Sequence, residues 1–162
     1  MSPAIIENSG LIQNCGSISL SVSGNVPVAD QDTDTDASCD GLDCAPADAS
    51  SWSAPSDVRA LRLAHSGGAF GVTDLSWALP AAPGGDTVFY DVLSSGDAAG
   101  FDSAVDAICL ETGDGADTAA TDPLTPWSGE VSYFVVRAGN ACGRGPAGHA
   151  SDGAPRVVRD CP

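Results

Sequence analysis

Ile18, Leu20 and Val22 alternate with serines in Ser17-Ile18-Ser19-Leu20-Ser21-Val22-Ser23, a strict period of two that predicts a half-buried strand. No hairpin partner stands beside it, so it must pair with something distant. Residues 25–54 show no apolar periodicity, hold seven aspartates and read as a loop. From Pro55 onward, strand-like runs return at residues 58–63, 70–79, 87–93, 104–110, 118–121, 131–138 and 157–158, with glycine- and proline-rich turns between them. Seven short strands in that spacing predict an all-β sandwich with little helix, a turn or two at most within residues 98–108. The chain thus divides into an N-terminal strand segment (1–24), an Asp-rich loop (25–54) and the sandwich (55–162).

Composition sharpens this picture. Of 22 acidic residues 19 are Asp, against six Arg and no Lys, for a net charge of −16. Asp disfavours helix interiors and suits turns and metal loops. The charge repels nucleic acid and anionic membranes. Six cysteines without zinc-type pairing predict disulfides, hence an oxidising, extracellular or cell-surface setting. No run approaches the ~20 apolar residues of a membrane helix. Met1-Ser2-Pro3 lacks the features of a signal peptide, so a secreted form is expected to be processed or a fragment.

The acidic run carries the clearest chemistry. Asp30, Asp32, Asp34 and Asp36 alternate, placing carboxylates where they repel unless a cation sits among them; Asp40, Asp43 and Asp48 follow, with Gly41 freeing the backbone to fold back. Calcium takes 6–8 oxygens from carboxylates, carbonyls and water, and Ca2+ is the cofactor this run predicts. An EF-hand does not fit: counted from Asp30 or Asp32, position six is Thr35 or Ala37, and position twelve is never Glu. The sparser Asp114, Asp117 and Asp122 read as turn residues.

Leu75-Ser76-Trp77-Ala78-Leu79-Pro80, Tyr90-Asp91-Val92 and Val136-Arg137-Ala138-Gly139-Asn140-Ala141-Cys142-Gly143 resemble the second, third and sixth strands of a fibronectin type III domain, over residues 55–160. Phe134 stands where that family has its corner tyrosine. The run from Asp30 to Asp48, with D-x-D-x-D, Cys39 and Asp43-Cys44-Ala45-Pro46, resembles a thrombospondin type 3 calcium repeat. Such a segment before a fibronectin-like domain is similar to secreted bacterial surface proteins. The resemblance implies a core around Trp77. It also implies a disulfide between Cys109 and Cys142, whose loops share a pole in that fold. Cys39 and Cys44 would staple the calcium loop, leaving Cys15 and Cys161 to meet between stacked subunits.

No catalytic motif surrounds His65 or His149, and no phosphate-binding glycine pattern occurs, so an enzyme is not expected. Trp52 and Trp127 fall outside the strand cores, suited to plugging the ends of the sandwich or to stacking on sugar rings. The expected function is an extracellular calcium-binding structural or adhesive protein, self-associating into a homopolymer by N-terminal strand addition. The alternative is a calcium-dependent module binding a carbohydrate or cell-surface ligand. The strand adds to a neighbour's sheet edge, or folds back onto its own, which the loop is long enough to allow.

Overall fold

The structure, a computed structural model, describes residues 31–67, 71–113 and 115–162. Among the described residues seven strands follow in chain order: β1 (Arg59–Ser66), β2 (Val72–Ala78), β3 (Phe89–Ser95), β4 (Ala107–Glu111), β5 (Ala119–Asp122), β6 (Tyr133–Asn140) and β7 (Gly143–Arg144). They form two antiparallel sheets, β1-β2-β5 and β4-β3-β6-β7. The protein is an all-β sandwich. Among the described residues its one helical element is a 3₁₀ turn at Gly100–Asp102.

Alternation explains the space between the sheets. Leu75 and Trp77 of β2, Tyr90 and Val92 of β3, Ala120 of β5, and Val136 and Ala138 of β6 all bury into one cluster. Trp77 meets Tyr90 with ring centroids 5.3 Å apart at 64°, an edge-on contact that suits the ring quadrupoles. The intervening residues point to the opposite face. In β3 and β6 they are buried as well: Leu93 and Val135 join Phe101, Ala107, Ala147 and Cys161 in a second cluster.

That outer cluster exists because residues 156–162 cross it as a strap. The Arg159 N–H donates to the Phe101 carbonyl (2.8 Å), and Arg159 Nη1 donates to that of Ala107 (3.0 Å). The apolar pair Val157-Val158, expected to close the sheet as a strand, belongs to this strap; Val158 packs on the outer cluster while Val157 is exposed. The seventh strand is instead the two-residue β7. Residues 104–110, expected to be one strand, begin pairing only at Ala107. The Ser103 hydroxyl accepts the N–H groups of Val105 and Asp106 and holds the start of that run in a turn.

A buried ionic network pins the strap down. Asp91, fully buried in β3, accepts from Arg144 Nε (2.6 Å) and Arg137 Nη2 (3.1 Å), and Arg137 reaches on to Asp160 of the strap (3.0 Å). Burial pushes the Asp91 carboxyl up, but the hydrogen bonds and charges of Arg144 and Arg137, with the Gly113 N–H, outweigh it and hold the group below its ordinary value.

One flank of the sandwich is thinly covered. Every residue of β1 is exposed, including Leu61 and Leu63. Leu63 pairs with buried Leu75, so Leu61 and Leu63 share the inward face. Opposite them β7 stops early. A Cβ at Gly145 would lie 2.2 Å from the Pro55 carbonyl oxygen, so only glycine passes there, and Pro146 brings no N–H to extend the ladder.

Candidate metal centre

Local chemistry builds the acidic loop. Asp34 Oδ1 accepts the Asp36 N–H (3.3 Å), Asp36 Oδ1 that of Ser38 (2.7 Å), and Asp43 Oδ1 that of Ala45 (2.7 Å). These are Asx-turns, which curl the chain and spend one oxygen of each carboxylate. Asp32 spends both, on the N–H groups of Thr35 (2.7 Å) and Ala37 (3.2 Å). Thr35 and Ala37 are thereby held at φ 67° and 75°, left-handed backbone that side-chain-bearing residues seldom adopt. The outcome is that Asp32, Asp34 and Asp36 bring carboxylate oxygens within 4.8 Å of one another. Two oxygens facing across a calcium ion at about 2.4 Å lie about 4.8 Å apart, so three oxygens no further apart than this can share one coordination shell.

Asp43 comes from the next turn, which closes when Leu42 and Asp43 donate to the Cys39 carbonyl (2.7 and 2.8 Å). Its side chain is buried, at 8% exposure. The second oxygens of Asp34, Asp36 and Asp43 are all buried and none has a hydrogen-bond partner. Burial raises the Asp34 carboxyl above its ordinary value, and the charges of Asp36, Asp43 and Asp32 add to that; only the Asp36 N–H opposes. Carboxylate oxygens withdrawn from water without partners are unfavourable, and a cation among them offsets that cost.

The other expected ligands are placed differently. Asp40 accepts the N–H (2.8 Å) and hydroxyl (2.6 Å) of Thr33. Asp48 accepts from the Ser50 hydroxyl (2.6 Å) and N–H (3.1 Å), which hold its carboxyl below the ordinary value. Asp30 lies outside the described residues, as do Cys15, Ile18, Leu20, Val22 and Asp114.

The disulfides differ from the expected set. Cys44 bonds Cys142 and Cys109 bonds Cys161, with Cα atoms 5.4 and 5.8 Å apart; neither Cys109–Cys142 nor Cys39–Cys44 forms. Cys161 is therefore not available to Cys15. Cys39 is also disulfide-bonded, to a partner outside the described residues. The strap is the reason for one pairing, since it carries Cys161 across the outer face where Cys109 pairs with Leu93. The other follows from the β6–β7 turn, where buried Asn140 donates to the carbonyls of Ser53 (2.7 Å) and Pro83 (3.2 Å), drawing the acidic loop onto Cys142. Asp43 also lies against the Cys44–Cys142 pair, but sulfurs locked in a disulfide offer no thiolate. The donor set is oxygen alone, which selects a hard cation over zinc.

His65 bonds Thr73 (3.1 Å) and His149 faces Asp57 (3.8 Å); neither belongs to the acidic cluster. Trp127 does not plug the sandwich end, since it is 82% exposed. No helix of the described residues is long and apolar enough to cross a membrane. No family model matches the chain, and no curated protein matches it.

Proposed function

We propose that this chain is an extracellular, calcium-binding structural module that associates with copies of itself through its N-terminal strand. The observation that carries the calcium reading is the approach of carboxylate oxygens of Asp32, Asp34 and Asp36 to within 4.8 Å of one another, with the second oxygens of Asp34 and Asp36 buried and unpartnered. Calcium there ties the loop into one rigid turn, and the Cys44–Cys142 bond fixes that turn on the sandwich. The disulfides suit an oxidising compartment, and the all-oxygen donor set suits the millimolar calcium found outside cells. In this reading the acidic segment works as a thrombospondin type 3-like clamp ahead of a fibronectin type III-like body.

Titration calorimetry of the full chain tests the site. Saturable calcium binding that Asp34→Asn and Asp43→Asn each weaken supports it; the absence of binding heat, with identical melting in calcium and EDTA, sinks it. A ligand-binding module is the second reading, favoured by exposed Trp127, whose ring would stack on a sugar. Calcium-dependent glycan binding lost in Trp127→Ala would select that reading.

A further inference from the structure

We infer that Asp43, Cys44 and Cys142 form a second cation site, which opens when a dithiol reduces the Cys44–Cys142 bond and takes a divalent ion of the zinc class. The inference does not rest on the calcium reading, since its sulfur donors stand outside the Asp32, Asp34 and Asp36 cluster.

A carboxylate oxygen of Asp43 and the sulfurs of Cys44 and Cys142 all lie within 4.8 Å of one another. Asp43 Oδ1 is engaged, accepting the Ala45 N–H (2.7 Å). Its Oδ2 is buried without a hydrogen-bond partner, in a residue only 8% exposed. A carboxylate oxygen withdrawn from water in this way favours a neighbouring cation. The oxidised sulfurs are poor ligands, but two thiolates are strong ones. Two thiolates with one carboxylate oxygen make a donor set that zinc accepts, leaving its fourth position to water. Thiolates also select against calcium, which takes oxygen ligands.

Exposure decides which bond opens. Cys44 is exposed and Cys142 half-buried. In the other described pair Cys161 is 3% exposed and Cys109 packs on the outer cluster, and Cys39 is buried as well. Thiol–disulfide exchange depends on access to the attacked sulfur, so a dithiol reaches Cys44 first. One reductant thiolate bonds the Cys44 sulfur, and the Cys142 sulfur leaves and takes up a proton. The second reductant thiol then displaces the Cys44 sulfur and closes the reductant's own disulfide. Two electrons and two protons have passed from the dithiol to the chain. When the metal enters, both cysteine protons go to solvent.

The donors stay together without the covalent bond, because other contacts hold both segments. The Cys142 N–H donates to Asn140 Oδ1 (2.9 Å), and Asn140 Nδ2 donates to the carbonyls of Ser53 (2.7 Å) and Pro83 (3.2 Å). On the other side the Asp43 N–H donates to the Cys39 carbonyl (2.8 Å), and the Ser51–Gly85 bridge ties the following residues to the sandwich. Two sulfurs at about 2.3 Å from a tetrahedral ion stand about 3.8 Å apart. Side chains on Cα atoms 5.4 Å apart reach that separation by turning about their own bonds.

The test treats the full-length chain with limiting dithiothreitol, then removes the reductant without air. Alkylation and peptide mapping should find label at Cys44 and Cys142 while Cys39, Cys109 and Cys161 stay protected. Cobalt(II) added to this form should give the near-ultraviolet absorption of thiolate-to-cobalt charge transfer, which zinc removes and excess calcium does not. Untreated protein should show no such band, since cobalt held by carboxylates alone lacks it, and Cys44→Ser/Cys142→Ser should abolish it. Asp43→Asn should weaken cobalt binding by the reduced form about tenfold or more, as losing even a group that only supports a ligand does. No band from a reduced chain whose Trp77 fluorescence is unchanged would overturn the site. Labelling of Cys109 or Cys161 first, or loss of the folded fluorescence as the Cys44–Cys142 bond opens, would overturn it too. Cobalt affinity unchanged in Asp43→Asn would overturn the three-donor arrangement. None of these outcomes depends on whether the oxidised chain binds calcium.

Discussion

Trp77 shows how much one side chain can carry. It fills the space between the sheets against Tyr90, and Trp77→Ala is expected to lower stability by about 3–5 kcal/mol through lost burial and a residual cavity. Urea unfolding against wild type measures this. Asp91 carries a different load. Its depressed folded-state value means that its contribution is fully present above the ordinary carboxylate range and is lost as pH falls through the folded value. Asp91→Asn should therefore cost about 3–5 kcal/mol at neutral pH by leaving Arg137 and Arg144 unbalanced. The gap between variant and wild type should narrow below about pH 4. A gap independent of pH down to pH 2 would show that the ion pairs do not set stability. Trp77 was legible in the sequence, because its strand alternates cleanly and ends at Pro80. Asp91 was not, for an acidic residue between Tyr90 and Val92 reads as solvent-facing until the strap makes that face interior.

At the scale of elements, alternation found the six longer strands, and β2, β3, β5 and β6 each lay one face on the inner cluster. It failed at the C-terminus. Gly143–Arg144 has no apolar signal, and Val157-Val158 looks like a strand end while serving as a cover. The pairing of Cys109 with Cys161 was hidden for the same reason: nothing local in the sequence says that the last residues cross the outer face. That the acidic run gathers carboxylates was legible from Asp spacing, yet which of them meet was not. Asp40 and Asp48 are consumed by Thr33 and Ser50, whereas Asp43 is buried beside the Cys44–Cys142 bond and its charge acts on Asp34. The strap's hold can be measured. The Cys109–Cys161 bond closes a loop with a sequence separation of 52, worth about 4 kcal/mol in unfolded-state entropy. Cys161→Ser should destabilise the fold by about that much and speed hydrogen exchange at the Arg159 amide before the inner strands. Unchanged exchange there would mean that the Arg137–Asp160 pair holds the strap unaided.

For the molecule as a whole, the question is how calcium bound in the acidic loop, as proposed, would act on the sandwich. A ligand stabilises a fold only if unfolding destroys its site, and the gain is then about 2.7 kcal/mol at a hundredfold excess over Kd. Residues 32–43 are local enough in sequence to keep part of their geometry after the sheets come apart, so linkage depends on what joins loop to body. Among the described residues three connections are visible: the Cys44–Cys142 bond, the Asn140 side chain on Ser53 and Pro83, and the bridge between Ser51 and Gly85. Only the first lies within two residues of a candidate ligand, Asp43. The other two act on residues 51–53, eight or more positions further along. In wild type, EDTA should lower the melting temperature of the sandwich. In Cys44→Ser/Cys142→Ser, calcium should still bind the loop by calorimetry, while the EDTA-induced shift in melting shrinks. Scanning calorimetry of both proteins with and without EDTA reads the difference directly. Equal shifts would show that residues 51–53 alone transmit the metal's effect, and loss of binding in the double variant would show that the disulfide builds the site itself.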